Sequence, residues 1–339
     1  MVKKAYKVDL DYESFLFDPN YFEENPANLK IIKEFEYVFF LINKDQAILK
    51  NIKTYQKSYL ENLDLLGFVI PECNSLIKDF EYWWGHREDR ELSKKLNSKL
   101  TSAKIALQNN WGFKEGAIVK DLNELQNHLL KFPHIDNWLL KRPNGFSGIG
   151  HYSFQSHSYD EKYLSKLLVE EHLLEPAYER LFDIGTTFEI ENGIIKNQFM
   201  VENFNSKKGS FKGGAGANNV EKFKKYIFLK YQYSLDELER ITREVADYYI
   251  GLGADSNIQI DSFVYLEEGQ MKLYALVEVN YRKTMGLVIQ SLANKFPEAD
   301  WVEWKIESVK KLKENPMEKE WIRLSPKDNH FQSFMKPSS

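Results

Sequence analysis

The segment from Asp261 to Gly286, DSFVYLEEGQMKLYALVEVNYRKTMG, constrains this chain more than any other. Runs rich in Val, Leu, Tyr and Phe flank Glu268-Gly269, a turn signal for a β-hairpin. A two-residue turn there sets Asp261 opposite Leu276 and diagonal to Glu278, close enough for both carboxylates to reach one ligand. Side chains alternate along a strand, so Glu278, Asn280 and Arg282 share a face while Val277 and Val279 turn to the core. Two carboxylates and a carbonyl oxygen are hard ligands that suit magnesium bridging nucleotide phosphates. They equally suit a half-solvated strand with ordinary surface charge, and the rest of the chain decides between the two.

At 339 residues there is room for two or three subdomains around a sizeable core. Charged residues make up 28% and hydrophobic ones 43%, which is a globular balance and not a disordered one. A formal net charge of −4 supplies no general attraction for nucleic acid or an anionic membrane. Cys73 is the only cysteine, so neither an internal disulfide nor a thiolate-rich metal site is available. The seven histidines show no His-Glu-x-x-His or paired-histidine spacing, which argues against zinc. No apolar run is long enough to span a bilayer, and no apolar stretch follows Lys3 and Lys4 as in a signal peptide. The expectation is a soluble, cytoplasmic protein with no nucleic-acid or membrane partner.

Residues 37–42, YVFFLI, and 66–70, LGFVI, read as short buried strands around a helical tract, an α/β unit with parallel strands. The aromatic cluster Tyr82-Trp83-Trp84 reads as packing between subdomains. A helix is expected to end near Gly112, and Asp121 with Glu124 has capping-box spacing ahead of a leucine stripe. NWLLKRP at 137–143 reads as a strand, as does LLVEEHL at 167–173. Glu191-Asn192-Gly193 is a second hairpin signal. The tract 204–219 reads as a long Gly/Lys/Asn loop, either an idle mobile loop, the reading slightly favoured, or one whose Lys207, Lys208 and Lys212 close over phosphates. Ser234 and Glu237 suggest another capping box. After about residue 290 the chain reads as helical, then as a polar tail.

Lys141 stands where a strand gives way to NGFSGIG, with Gly145, Ser147, Gly148 and Gly150. Glycines let backbone N–H groups approach phosphate oxygens, and a lysine at the base adds a point charge. The spacing matches neither a P-loop nor a dinucleotide fingerprint. Lys99 and Lys104 lie on or near the preceding helix. Glu170 and Glu171 interrupt an apolar strand, where one of two neighbours must point inward or at a ligand.

In order, NSKLTSAKIAL, WLLKRPNGFSGIG, LLVEEHLLEPAYE and the hairpin ending in EVNYR resemble the ATP-grasp superfamily over about residues 97–290. E-x-N-x-R after a hairpin strand carries most of that likeness. The resemblance implies an α/β (α+β) protein whose two β-rich lobes clamp ATP. It implies a nucleotide-binding lobe over 99–175 and a metal and catalytic lobe over 176–290, with a helical extension and polar tail at 291–339. WWGHREDRELSKKLNSK looks like the junction with a preceding pre-ATP-grasp domain, here 1–98. By position, Lys99 and Lys141 hold phosphates, with the loop Gly145, Ser147, Gly148 and Gly150 beside them. Glu170, its neighbour Glu171 and Leu173 take adenine, and Glu175 or Glu179 the ribose. Asp261, Glu278 and Asn280 hold magnesium, or manganese in its place, and Arg282 steadies the reacting acyl group. The implied activity is joining a small-molecule or peptide carboxylate to an amine through an acyl phosphate. The alternatives are a small-molecule kinase or a non-catalytic ATP-binding regulator on the same fold.

Overall fold

The computed structural model describes residues 3–338 except 19, 24, 144–150, 207 and 208. Three sheets organise it. A small parallel sheet near the N-terminus runs, in spatial order, Glu72–Cys73, Ile48–Leu49, Ala5–Lys7 and Glu81–Tyr82. A four-stranded antiparallel sheet is ordered Ala117–Val119, His172–Pro176, Asn137–Lys141 and His151–Gln155. The third is antiparallel with eight strands. Its order is Gln270–Asn280, Ile258–Glu267, Arg180–Glu191, Ile194–Asn205, Phe211–Gly216, Trp301–Ser308, Phe331–Ser338 and Ile322–Arg323.

The parallel strands of the N-terminal unit are there, but not where the apolar runs suggest. Val38–Ile42 is a helical turn whose Val38, Phe39, Phe40 and Leu41 are all buried. A run enclosed on every side has no polar face to reveal its period, so helix and strand look alike in sequence. Residues 66–70 form no strand; Gly67 there adopts a φ of 78°. Trp83 and Trp84 are buried as the packing reading requires, Trp83 edge-on to Phe39 at 4.9 Å.

Both hairpin signals hold. Asn192 and Gly193 (φ 53° and 67°), like Glu268 and Gly269 (φ 50° and 76°), take the left-handed turn conformation. Asp121 caps the helix Leu122–Lys131 by accepting the Glu124 N–H at 2.8 Å. Ser234 forms no capping box with Glu237: the helix begins at Asp236 with Leu235 as its N-cap, and the Ser234 hydroxyl donates to the Asp236 carboxylate at 2.8 Å and accepts the Asp236 N–H at 3.3 Å.

Two stretches differ from expectation. Within the supposed loop 204–219, Phe211–Gly216 is an interior strand of the large sheet. A Cβ at Gly213 would lie 2.0 Å from the Trp304 carbonyl oxygen, and one at Gly214 2.2 Å from that of Glu202. These glycines permit close strand approach, a use that composition does not separate from a loop. After 290, the helix ends at Lys295 and strands Trp301–Ser308 and Phe331–Ser338 extend the large sheet, replacing the expected helical extension and polar tail. Trp301–Ser308 is half-buried, and its alternation is visible in Val302, Trp304 and Ile306.

Candidate active site

A cleft of about 1310 Å³ opens where the two antiparallel sheets meet the N-terminal unit. Lys99, Lys141, Glu179, Asp261, Glu278, Asn280 and Arg282 all line it. These residues come from four elements and two adjoining loop positions, Glu179 and Arg282, distributed over nearly two hundred positions of sequence, and specific contacts bring each into place.

Lys99 opens the helix Lys99–Asn109, and its own N–H donates to the Pro143 carbonyl at 3.0 Å. Two further bonds lay that helix start along the hairpin's second strand. The Asn97 side chain accepts the Tyr281 N–H at 2.9 Å, and the Ser102 hydroxyl accepts that of Val279 at 3.1 Å. Lys99 thereby meets Glu278 as an ion pair. Burial holds the Lys99 ammonium down to about 7; the neighbouring cations Lys141 and Arg282 push the same way, and Asp261 and Glu175 offset only part of this.

The hairpin register differs from a simple two-residue turn. Phe263 faces Tyr274, but then Ser262 alone opposes Ala275, Leu276 and Val277, so Asp261 pairs with Glu278 and Gln259 with Asn280. The Ser262 hydroxyl donates to the Ala275 carbonyl at 2.6 Å. A shift of two residues keeps every side chain on its expected face. It also moves Asp261 from opposite Leu276 to opposite Glu278, a tighter carboxylate pair than the sequence suggested. Asp261 accepts from Gln259 Nε2 at 2.7 Å and Asn280 Nδ2 at 2.9 Å, and burial raises its carboxyl above the ordinary value.

Arg282 lies just beyond the strand, tied to the N-terminal unit. It bridges to Gly85, and the Lys283 N–H donates to the Trp84 carbonyl at 2.9 Å. Its guanidinium donates to Asn280 Oδ1 at 2.9 Å and pairs with Glu13 at 2.6 Å, while its buried Nε has no hydrogen-bond partner.

Lys141 ends its strand buried beside Glu175 on the next strand, and the two form an ion pair. Desolvation holds the Lys141 ammonium below its ordinary value. His151, across the ladder from Lys141, is exposed at the cleft, and partial desolvation with the cations Lys141, Lys99 and Arg180 holds its imidazole below the ordinary value.

The adenine assignment is corrected. The strand occupies His172–Pro176, after a turn that follows the helix Glu161–Leu167, so Glu170 and Glu171 stand before it in solvent. Glu171 pairs with Lys104 at 3.1 Å, and neither glutamate lines the cleft. Leu173 is buried in the strand but is not part of the lining either. Five buried residues, His172 to Pro176, identify the true strand; Leu167 and Leu168, which belong to the preceding helix and its end, disguise its start. Gly145, Ser147, Gly148, Gly150, Lys207 and Lys208 lie outside the described residues, and Lys212 does not line the cleft. Sequence reasoning passed over Glu13 and Tyr274, which lack any motif; Arg180, to which the sequence assigns no role, lines the cleft, stacked over Phe263 at 4.1 Å and paired with Asp183.

Among the described residues, no group of three or more His, Cys, Asp or Glu side chains is arranged to hold a metal. The donor set of Asp261, Glu278 and Asn280 nevertheless fits magnesium, which takes one or two carboxylates and leaves its remaining positions to water and phosphate oxygens. No described helix is long and apolar enough to cross a membrane.

No family model matches the chain, and no curated protein matches its sequence. Solved structures do match its fold. The N5-carboxyaminoimidazole synthetase of Staphylococcus aureus, complexed with ADP, is 11% identical with a TM-score of 0.52, covering 100% of this chain and 94% of that one. Phosphoribosylamine–glycine ligase of Thermotoga maritima is 10% identical at a TM-score of 0.53, over 99% of this chain and 92% of that one. A biotin carboxylase–β,γ-ATP complex from Campylobacter jejuni is 9% identical at 0.53, over 99% and 87%. These likenesses show the fold: the described residues have the ATP-grasp fold.

Proposed function

We propose that this ATP-grasp chain is an ATP- and magnesium-dependent ligase that joins a carboxylate to an amine and releases ADP and phosphate. The observation that carries the reading is the convergence of two buried lysines, an opposed carboxylate pair with its amide, and an arginine in one cleft. The bound nucleotides of the similar structures, and the ligase and synthetase names they carry, support it.

On this reading Lys99 and Lys141 offset the charge of the nucleotide phosphates. Asp261, Glu278 and Asn280 would hold a magnesium ion, which would supply charge neutralisation at the phosphates. The substrate carboxylate attacks the γ-phosphorus, and ADP leaves. The amine nitrogen then attacks the acyl carbon, phosphate departs and the amine gives up a proton. Arg282 lines the cleft, and its guanidinium would stabilise oxygen charge on the acyl group. Positioning and electrostatics do most of the work in phosphoryl transfer.

The test is product analysis with a panel of carboxylic acids and amines. A ligase gives ADP and phosphate in equal amounts, requires magnesium, and yields a hydroxamate when hydroxylamine replaces the amine. AMP with pyrophosphate, or ADP without free phosphate, overturns the reading in favour of adenylation or of a kinase.

A further inference from the structure

Behind the phosphate end of the cleft lies a buried triad that no motif announces. Lys141 and Glu175 sit on adjacent strands of the four-stranded sheet, paired through one carboxylate oxygen. The other oxygen accepts the hydroxyl of Tyr274, which comes from the eight-stranded sheet. Exposure is 3% for Lys141 and 2% for each of Glu175 and Tyr274. The Tyr274 ring is fixed by Phe113 at 4.4 Å and Phe263 at 5.0 Å. Gly112 lies against it so closely that a Cβ there would stand 3.1 Å from the ring. Only Lys141 of the three lines the cleft.

A buried lysine and glutamate face a choice. They exist as an ion pair or, by passing one proton from nitrogen to oxygen, as a neutral amine and carboxylic acid. Desolvation favours the neutral form, and each hydrogen bond donated to the carboxylate favours the charged one. The surroundings add mostly positive charge. Arg180 reaches in from the large sheet, Lys99 from its helix, and His151 on the neighbouring strand stays neutral. Tyr274 is held far toward its protonated form by burial and by Glu175, so it is a permanent donor.

Building on the nucleotide site proposed above, we propose that Tyr274 is a positioning residue. Its hydroxyl, reaching from the eight-stranded sheet to the four-stranded one, holds the Glu175 carboxylate against Lys141, and that pairing keeps Lys141 a cation able to bind phosphate. Nucleotide affinity thus depends on a residue that touches no nucleotide.

The experiment is calorimetric titration of the full-length protein with ATP and magnesium from pH 6 to 9, comparing wild type with Tyr274→Phe and Glu175→Gln. Losing a single hydrogen-bond donor is expected to raise the dissociation constant about fivefold at pH 8.5. The ratio to wild type should shrink toward one at pH 6, where excess protons recharge Lys141. Taking the ratio cancels the titration of the nucleotide, which is common to both proteins. Glu175→Gln should show a larger loss with the same pH trend, and it carries the comparison alone if Tyr274→Phe does not fold. Unchanged affinity, or a loss equal at every pH, overturns the proposal, the latter showing only a structural link between lobes. Absence of ATP binding by the wild type would instead overturn the nucleotide site itself.

Discussion

Asp261 and Glu278 face each other directly across the hairpin, because Ser262 alone spans three residues of the partner strand. Like charges directly opposite in a ladder repel. Here Lys99 neutralises Glu278, while Gln259 and Asn280 donate to Asp261. That arrangement gives Glu278→Gln a clear outcome. The isostere keeps the shape and relieves the repulsion but removes half the charge that would hold the metal. Magnesium-dependent ATP turnover should fall at least about a hundredfold while the thermal transition remains cooperative. Retention of more than a tenth of the activity would remove Glu278 from the metal set.

Lys141→Ala has two separable consequences. Loss of a charge-assisted phosphate contact, worth about 1.5–3 kcal/mol, should weaken ATP binding roughly ten- to a hundredfold. Leaving Glu175 buried without its cation should also destabilise the fold by about 3–5 kcal/mol. Adding Glu175→Gln to the same chain removes the stranded charge, so denaturant titration should show most of the stability restored. Calorimetry on that double variant should show the affinity still lost.

Arg87 governs stability through pH. It donates to Asp9 at 3.0 Å and to Asp11 at 2.9 Å, and both aspartates are buried. Burial holds the Asp9 carboxyl up to about 6 even with the guanidinium beside it. A carboxyl whose folded-state value is raised favours the fold most when protonated, and that advantage is lost as pH rises from the ordinary range through about 6. In Arg87→Met the carboxyl moves higher still. Urea denaturation should therefore find a deficit of about 3–5 kcal/mol at pH 8 and a clearly smaller one at pH 5. An equal deficit at both values would show that packing, and not charge, is what Arg87 supplies.

Gly85 joins the N-terminal unit to the end of the hairpin strand through its bridge to Arg282. A Cβ at that position would fall 2.2 Å from the Tyr12 ring, so the backbone lies flat against the aromatic face. Gly85→Ala must move either the ring or the segment that carries Arg282. The expected result is destabilisation of about 1–3 kcal/mol. Turnover should drop more than ATP affinity if, as proposed, Arg282 acts on charge that develops during reaction. Tyr12→Ala in the alanine background should recover turnover in part if the clash is the cause.

Much of the site was legible because its chemistry is local. Glu278, Asn280 and Arg282 are fixed by strand alternation, and a register error of two residues left their faces intact. Lys141 was marked by a strand running into glycines. What failed was segmentation of apolar runs. The residues LLVEEHLLEP hold a helix end, a turn and a strand, and only burial distinguishes them. Glu170→Ala should accordingly leave ATP affinity unchanged within about twofold, as expected of a solvated side chain. Glycine misled in the other direction at Gly213 and Gly214, where intimacy between strands, and not a loop, requires the missing Cβ. Tyr274 and Glu13 were invisible because their partners are remote in sequence.

The hydrophobic cluster of the N-terminal unit does not end at the unit's border. Val8, Phe39 and Trp83 share it with Val201, Ile289, Trp304 and Met335, which belong to the large sheet and the helix Gly286–Lys295. Neither side possesses a finished interior without the other. A recombinant fragment stopping near residue 98, or a chimera grafting another N-terminal piece onto the remainder, would present raw apolar surface to water on both sides of the cut. The two parts are therefore open to change by single residues along the seam, and closed to exchange of whole modules.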